Sequence, residues 1–301
     1  MAAMETAVET RLEAARLDAQ LEPIDWSQPD PRSTPFRFDA PSGSLAAWSM
    51  GDPVNPRVVL VPGATGSKED FVLLAPPLVD AGYFVQSFDL AGQFESASAG
   101  PSPRSGHWDY PLFLDDLVAF LEAGEPAHVL GYSFSGILAQ LVLAHRPELI
   151  LSLTLLTAPP LTGNVFRGVK IVGPFARLAS PRVGAGLMIW GIRTNKNRVD
   201  DARLRFVRER LLVTRRESVD DIIGLMMNTP DVTAEVAAAG VPLLIATGHH
   251  DLWPVRLHAE YADRIGAELA VYRTGHSPCE TTPNQLALDM IATFRRAELL
   301  A

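Results

Sequence analysis

The sequence has little cysteine and no excess of basic charge. Its single cysteine, Cys279, cannot form a disulfide within the chain, which fits a reducing compartment. The net charge is -9, whereas a general nucleic-acid binder needs a basic surface. We therefore expect no disulfide framework and no nucleic-acid partner.

Long apolar runs are also missing. A membrane helix needs about 18 or more apolar residues in a row. The longest candidate, residues 149–156, is far shorter and contains a serine and a threonine. Near the start of the chain, Glu5, Glu9 and Glu13 interrupt any apolar stretch of the kind that export signals contain. We expect a cytoplasmic protein without a membrane span.

The composition is that of a globular protein. Of the 301 residues, 47% are hydrophobic and 20% are charged, which is enough apolar material for a large core. At about 150 residues per domain the length allows one or two domains, although α/β folds can reach about 250 residues as one unit. We expect one core domain with an insertion.

Strand-like and helix-like segments alternate along most of the chain. This alternation predicts βαβ units in a mainly parallel sheet, with the first two strands as an antiparallel pair at one edge. The predicted strands are 36–38, 45–48, 57–61, 83–88, 127–132, 149–156, 242–247 and 269–272, and the predicted helices are 5–21, 71–81, 111–123, 135–145, 255–265 and 283–294.

The alternation stops after the strand at 149–156, and the following segment has only helical patterns. Because it interrupts a sheet protein between two strands, we expect it to form a cap at one end of the sheet. The predicted division is an N-terminal helix and lead-in (1–35), a core (36–160 and 233–301) and a helical cap (161–232).

The predicted cap is basic. Residues 161–230 contain 13 of the chain's 26 Lys and Arg residues and six acidic residues, so the segment is net +7. The charge either receives an anionic substrate or lies on a solvated face, and the apolar stripe in 204–212 favours the second. Leu187 and Trp190 are candidate walls of an acyl pocket, and could equally form the interior of the cap.

A nucleophile motif follows the strand at 127–132. Residues 131–136 read G-Y-S-F-S-G, which resembles the G-x-S-x-G nucleophile elbow of the α/β-hydrolase superfamily. In that motif the serine stands on a strained turn, and small residues on either side let strand and helix approach closely. The fifth position is Ser135 instead of glycine. Ser133 is the preferred nucleophile, because the rival register would put Ile137 where a small residue is needed.

Matching partners follow two later strands, in the superfamily's order of serine, acid and histidine. Asp251 ends the segment G-H-H-D after the strand at 242–247, and His276 ends T-G-H after the strand at 269–272. Singly, each has an ordinary explanation, as a residue near a helix start or in a loop. The resemblance implies that His276 is the base for Ser133 and that Asp251 orients it.

The resemblance also implies an oxyanion hole of two backbone N–H groups. One belongs to Phe134, and the other to Ala64 in the loop P-G-A-T-G at 62–66. This loop begins with proline where the superfamily usually has histidine, so a bracing side chain is lost. Ser67 and Asp70 then read as a capping pair for the next helix. We expect no metal ion and no cofactor.

The resemblance covers residues 36–298 apart from the cap, and is nearest to the lid-bearing, esterase-like branch. It implies an α/β-hydrolase fold and a serine hydrolase acting on a small acyl ester or thioester. The same triad also serves carbon–carbon hydrolases, lactonases, peptidases and cofactor-free perhydrolases, and the fold can host non-catalytic binding proteins. The sequence leaves these alternatives and the oligomeric state open.

Overall fold

A computed structural model describes residues 2–101, 106–169 and 200–300 of the chain. The strands are β1 (Ser33–Ala40), β2 (Gly43–Met50), β3 (Arg57–Val61), β4 (Phe84–Phe88), β5 (Ala127–Tyr132), β6 (Ile150–Leu156), β7 (Leu243–Gly248) and β8 (Glu268–Tyr272). The described helices are α1 (Ala2–Ala19), α2 (Ala75–Asp80), α3 (Tyr110–Glu122), α4 (Phe134–His145), α5 (Asp201–Val213), α6 (Arg216–Met226), α7 (Thr233–Ala238), α8 (Val255–Ile265), α9 (Pro278–Thr281) and α10 (Pro283–Glu298).

The strands form one sheet in the order β1-β2-β4-β3-β5-β6-β7-β8. β1 pairs with β2, and β2 with β4, in antiparallel register, and every later pairing is parallel. The expected parallel sheet with an antiparallel edge is therefore confirmed. The central strands β3, β5 and β7 are buried along their whole length, as strands covered on both faces are.

Helices cover both faces of the sheet, and the sheet divides the hydrophobic core into two clusters. Val59 and Val61 point into the cluster that contains α3, α4 and α8, whereas Val58 and Leu60 point into the cluster with α2 and α10. This alternation follows from the two-residue period of a strand. The N-terminal helix α1 packs on α10, where both carboxylate oxygens of Asp18 accept hydrogen bonds from the first turn.

The predicted helix 71–81 is wrong in extent. A 3-10 helix covers Lys68–Phe71, and α2 begins only at Ala75. The cause is Pro76-Pro77, because proline has no N–H and is tolerated only in the first turn of a helix. The expected pairing of Ser67 with Asp70 is present, since the Ser67 N–H donates to Asp70 Oδ2 at 3.3 Å.

The described parts of the predicted cap, 161–169 and 200–232, contain a 3-10 helix at Val165–Gly168 followed by α5 and α6. Both parts meet at an isolated bridge between Gly163 and Thr229. In the described ranges of the chain, no helix is long and apolar enough to cross a membrane.

Candidate active site

Ser133 occupies the sharp turn between β5 and α4. Its backbone has φ 52° and ψ -114°, a conformation that non-glycine residues rarely adopt and that stores strain. Two backbone hydrogen bonds hold the turn: the Ser133 N–H donates to Leu156 O at 2.9 Å, and the Gly136 N–H donates to Ser133 O at 3.0 Å. The turn lies at the carboxyl end of the parallel strands, where open α/β sheets bind ligands.

The glycines around the turn explain the departure from the G-x-S-x-G pattern. A Cβ on Gly131 would lie 2.5 Å from the carbonyl oxygen of Ser135, and a Cβ on Gly136 would lie 2.3 Å from the Cβ of Ala158. The tightest contact after the nucleophile is thus at position 136. Ser135 is accommodated because its buried hydroxyl donates to the carbonyl oxygen of Pro62 at 2.5 Å.

The structure brings Ser133, His276 and Asp251 together. His276 Nε2 lies 3.2 Å from Ser133 Oγ, and His276 Nδ1 lies 2.5 Å from Asp251 Oδ1. The three residues come from the ends of β5, β7 and β8, which explains how positions far apart in sequence meet. A nucleophile, a base and an orienting group within hydrogen-bond reach form the arrangement that activates a serine hydroxyl.

Asp251 is buried, and its second carboxylate oxygen is also used. Oδ2 accepts from His258 Nε2 at 3.0 Å and from Thr247 Oγ1 at 3.3 Å. Burial alone would raise the pKa of Asp251, but the charge of His276 and the hydrogen bonds from both histidines outweigh it and hold that pKa well below its usual range. Asp251 is therefore ionised at neutral pH.

His258 was not among the site residues predicted from the sequence. On α8 it starts a buried stripe that continues with Tyr261, Ala262 and Ile265. A histidine at such an otherwise apolar position is the signal that would have found it. The neighbouring His249 and His250 are exposed, and their rings contact each other.

The loop that carries His276 is braced from two strand ends. Thr157 Oγ1 donates to the carbonyl oxygen of His276 at 3.0 Å, and the hydroxyl groups of Tyr132 and Ser277 lie 2.8 Å apart. Cys279 follows in α9 and is fully buried. Burial raises the pKa of its thiol well above the ordinary value, which supports a packing role and not a nucleophilic one.

The predicted oxyanion loop lies against the turn that carries Ser133. A Cβ on Gly63 would lie 3.1 Å from the Cβ of Ser133. Within the described part of the chain, neither the Ala64 N–H nor the Phe134 N–H donates a hydrogen bond. Phe134 is the first residue of α4, whose N-terminal N–H groups carry partial positive charge. These two N–H groups are the donors that the sequence predicts for an anionic oxygen.

The prediction of a solvated face is wrong for two cap arginines. Arg203 and Arg210 of α5 are buried, and each places a guanidinium nitrogen 2.6 Å from Asp70 Oδ1. Arg203 also binds Glu280 Oε1 at 2.6 Å. Part of the positive charge therefore neutralises core carboxylates instead of facing solvent or a substrate. Arg205, on the same helix, is exposed.

Leu187 and Trp190, the predicted pocket walls, lie outside the described residues. The described cap residues at 161–169 lie beside the site. Trp253 Nε1 donates to the carbonyl oxygen of Val165 at 2.9 Å, and the Trp253 ring centroid lies 6.1 Å from that of His276. This contact joins the first cap residues to the loop that carries Asp251.

Comparison with known proteins identifies the family. The model of the alpha/beta hydrolase family matches residues 58–289. The chain belongs to this family and is a hydrolase. No curated protein matches the sequence significantly.

Many solved structures share the fold. One is a carboxylesterase of the ammonia-oxidizing thaumarchaeon Nitrososphaera gargenis, at 18% identity over 88% of this chain and 100% of the other, with a TM-score of 0.70. Another is a membrane phospholipase A, a bacterial virulence factor, at 18% identity over 98% and 96% of the two chains, with a TM-score of 0.72. A third is an enol-lactonase of Burkholderia xenovorans LB400, at 17% identity over 86% and 100%, with a TM-score of 0.67. At such identities the likeness concerns the fold alone.

Proposed function

We propose that this hydrolase cleaves a carboxylic ester or thioester through an acyl-enzyme on Ser133. The observation that carries the proposal is the hydrogen-bonded chain from Ser133 through His276 to buried Asp251. A serine hydroxyl is a weak nucleophile until a positioned base removes its proton. The proposed base is His276, and Asp251 orients it.

The first step is attack on the acyl carbonyl carbon by Ser133 Oγ, whose proton passes to His276 Nε2. The separation of 3.2 Å is in the range expected before substrate binds, when catalytic hydrogen bonds are long. Asp251 then faces an imidazolium ion and stabilises its positive charge. Because the carboxylate is ionised and buried, this attraction acts with little screening by solvent.

The carbonyl oxygen becomes negatively charged as the tetrahedral intermediate forms. The proposed hole for it consists of the Ala64 and Phe134 N–H groups, and the N-terminus of α4 adds a favourable field. One such donor is worth about 3 kcal/mol in the transition state of known acyl-transfer enzymes. Collapse of the intermediate expels the alcohol or thiol, which takes the proton from His276. Water then attacks the acyl-enzyme by the same route and releases the acid.

The decisive experiment is labelling with a fluorophosphonate, read by intact mass and peptide mapping. We expect one adduct on Ser133 in the wild type, none in Ser133→Ala, and a retained adduct in Ser135→Ala. Ser135 is the matched control, since it is the neighbouring serine of the same turn. An adduct that persists in Ser133→Ala and disappears in Ser135→Ala would overturn the assignment.

A substrate panel then separates the chemistries open to this triad. It includes esters and thioesters of increasing acyl length and a lactone, since a fold neighbour is an enol-lactonase. Turnover of esters or thioesters by the wild type but not by Ser133→Ala supports the proposal. Labelling without turnover on the panel would indicate another bond type. A protein that neither labels nor turns over any substrate would be a binding protein instead.

The predicted cap supplies the proposed acyl specificity. It follows β6, whose carboxyl end lies beside Ser133. Cap residues that follow this strand end are therefore suited to forming the walls of an acyl pocket. Leu187→Ala and Trp190→Ala should each shift the preferred acyl chain length while labelling of Ser133 continues. An unchanged preference in both variants would remove these two residues from the pocket.

A further inference from the structure

His258 is a second histidine on the carboxylate of Asp251. It lies in the first turns of α8, its side chain is 1% exposed, and its Nε2 lies 3.0 Å from Asp251 Oδ2. The carboxylate thus has a histidine on each oxygen, His276 on Oδ1 and His258 on Oδ2. The mechanism above uses only the first of these histidines.

The protonation of His258 follows from its partner. An ionised carboxylate only accepts hydrogen bonds, so Nε2 of His258 must carry the proton that it donates. In the described part of the chain the other ring nitrogen, Nδ1, is buried without a hydrogen-bond partner. The single polar contact of this side chain is therefore directed at Asp251.

We propose that His258 is a positioning residue for hydrolysis, an inference that rests on the function proposed above. By holding Oδ2 together with Thr247, it fixes the rotation of the Asp251 carboxyl group, so that Oδ1 faces Nδ1 of His276. Without it, Oδ2 keeps Thr247 at 3.3 Å but loses the shorter of these two contacts, and the orientation of Oδ1 towards His276 is held less firmly.

Helix α8 is a rigid support for this contact. It packs on β7, the strand that leads into Asp251, and its buried face continues through Tyr261 and Ile265. Tyr261 also donates a hydrogen bond to Gln140 of α4, the helix that follows Ser133. The helix that carries His258 is thus tied both to the strand before the acid and to the helix after the nucleophile.

The test compares three substitutions of His258 in the full chain. His258→Gln keeps an N–H donor at about the reach of Nε2, His258→Asn carries the same amide one methylene shorter, and His258→Phe fills the space without a donor. We expect the glutamine variant to keep kcat within about threefold of wild type. The other two should lose roughly tenfold in kcat at unchanged KM, because small misplacements of catalytic groups are costly.

The matched control is His128→Phe. His128 is also a buried histidine, on β5. Its ring contacts Ser152, Phe294, Tyr83 and Glu298 and, among the described residues, none of the three site residues. We expect this variant to change stability and to leave kcat unchanged. The probe is the best ester of the panel, and melting temperatures are measured for every variant.

A second readout does not depend on activity. The low-field proton NMR signal of the hydrogen bond between His276 and Asp251 should shift in the asparagine and phenylalanine variants, and should keep its position in the glutamine variant. If His258→Phe does not fold, the glutamine and asparagine pair decides. Equal kcat and an unmoved signal in all variants, or a glutamine variant as slow as the others, would overturn the inference. Ser133→Ala separately tests the proposed function, because its retained turnover would reject that function whatever the His258 variants do.

Discussion

The hydroxyl of Ser135 donates a 2.5 Å hydrogen bond to the carbonyl oxygen of Pro62. This bond joins the turn that carries Ser133 to the start of the loop that carries Ala64. Proline at position 62 has no side-chain donor with which to brace the loop, and the serine in the fifth position of the motif supplies a brace from the opposite side. The two departures from the family pattern, at 62 and 135, are thus in direct contact.

Replacing Ser135 with alanine should slow acyl transfer without preventing it. The side chain stays small, so the turn still fits, but the loop loses a buried hydrogen bond and the Ala64 N–H is held less firmly. We expect kcat to fall roughly tenfold at unchanged KM, which is less than the 10²–10³-fold typical of losing an oxyanion donor. Steady-state kinetics on the best ester measures this.

The control is Ser152→Ala, which also removes a buried hydroxyl but lies near the amino end of β6. We expect it to lower stability by about 1 kcal/mol and to leave kcat unchanged. Equal kcat in wild type and Ser135→Ala would show that the Pro62 contact does not position the loop.

Replacing Asp251 with asparagine should reduce kcat by about 10⁴-fold, as in the serine-protease triad. If the amide oxygen faces His276, the NH₂ group faces the N–H of His258, and two donors meet. If the amide is reversed, the NH₂ group faces His276 and selects the wrong tautomer. Either orientation damages the site. The rate of fluorophosphonate labelling and ester turnover measure the effect, and a loss below tenfold would exclude Asp251 as the orienting acid.

Much of this fold was predictable because buried parallel strands leave a clear pattern. Residues 57–61 and 127–132, both rich in apolar residues and bounded by turn signals, form β3 and β5 with the expected bounds. The same strand ends predict that Ser133, Asp251 and His276 lie at one edge of the sheet. The order of residues along the chain was sufficient for this, because parallel strands bring their carboxyl ends together.

The polar interior was not predictable in the same way. Arg203 lies 133 residues from Asp70 and 77 residues from Glu280, its two partners. A helical pattern shows which residues share a face, but it does not show which distant carboxylates meet that face. His258 is different, since its partner Asp251 is only seven residues away and the histidine stands in the apolar stripe of α8. That stripe shows that the ring is buried, but not which group it meets.

His128 should make the protein less stable in mild acid. Burial lowers the pKa of this side chain to about 4, below the ordinary value of about 6.5. Below pH 6.5 the unfolded state binds a proton that the folded state does not bind, so the free energy of unfolding falls as the pH drops from about 6.5 to about 4. Below about pH 4 both states carry the proton, and this histidine causes no further change. The free energy of unfolding that is lost over this pH range is on the order of 3 kcal/mol.

The measurement is urea unfolding of wild type and His128→Phe across this pH range. The phenylalanine ring can keep the stacking on Phe294 but does not titrate. We expect the variant to be less stable at neutral pH, since Ser152 loses its partner, and to lose less stability than wild type on acidification. Parallel curves for the two proteins would contradict the assigned role of His128.

Arg203 should be essential for holding α5 on the core. Its guanidinium group contacts Asp70 and Glu280 and stacks over the ring of Trp26, with its central carbon 4.2 Å from the ring centroid. Removing one partner of a buried ion pair costs about 3–5 kcal/mol, mainly because the remaining charge stays buried without compensation. Arg203→Met should therefore lower the free energy of unfolding by about this amount, measured by urea titration.

Two further variants separate orphaned charge from lost packing. Arg205→Met is the matched control, since it makes the same substitution at an exposed position of α5 and should change stability by less than about 0.5 kcal/mol. The double variant Arg203→Met with Glu280→Gln should recover part of the loss, because it removes a carboxylate that the single variant leaves unpaired. If Arg203→Met and Arg205→Met were equally stable, the buried arginine would not anchor α5. If the double variant were no more stable than the single, packing on Trp26 would account for the anchoring instead of charge.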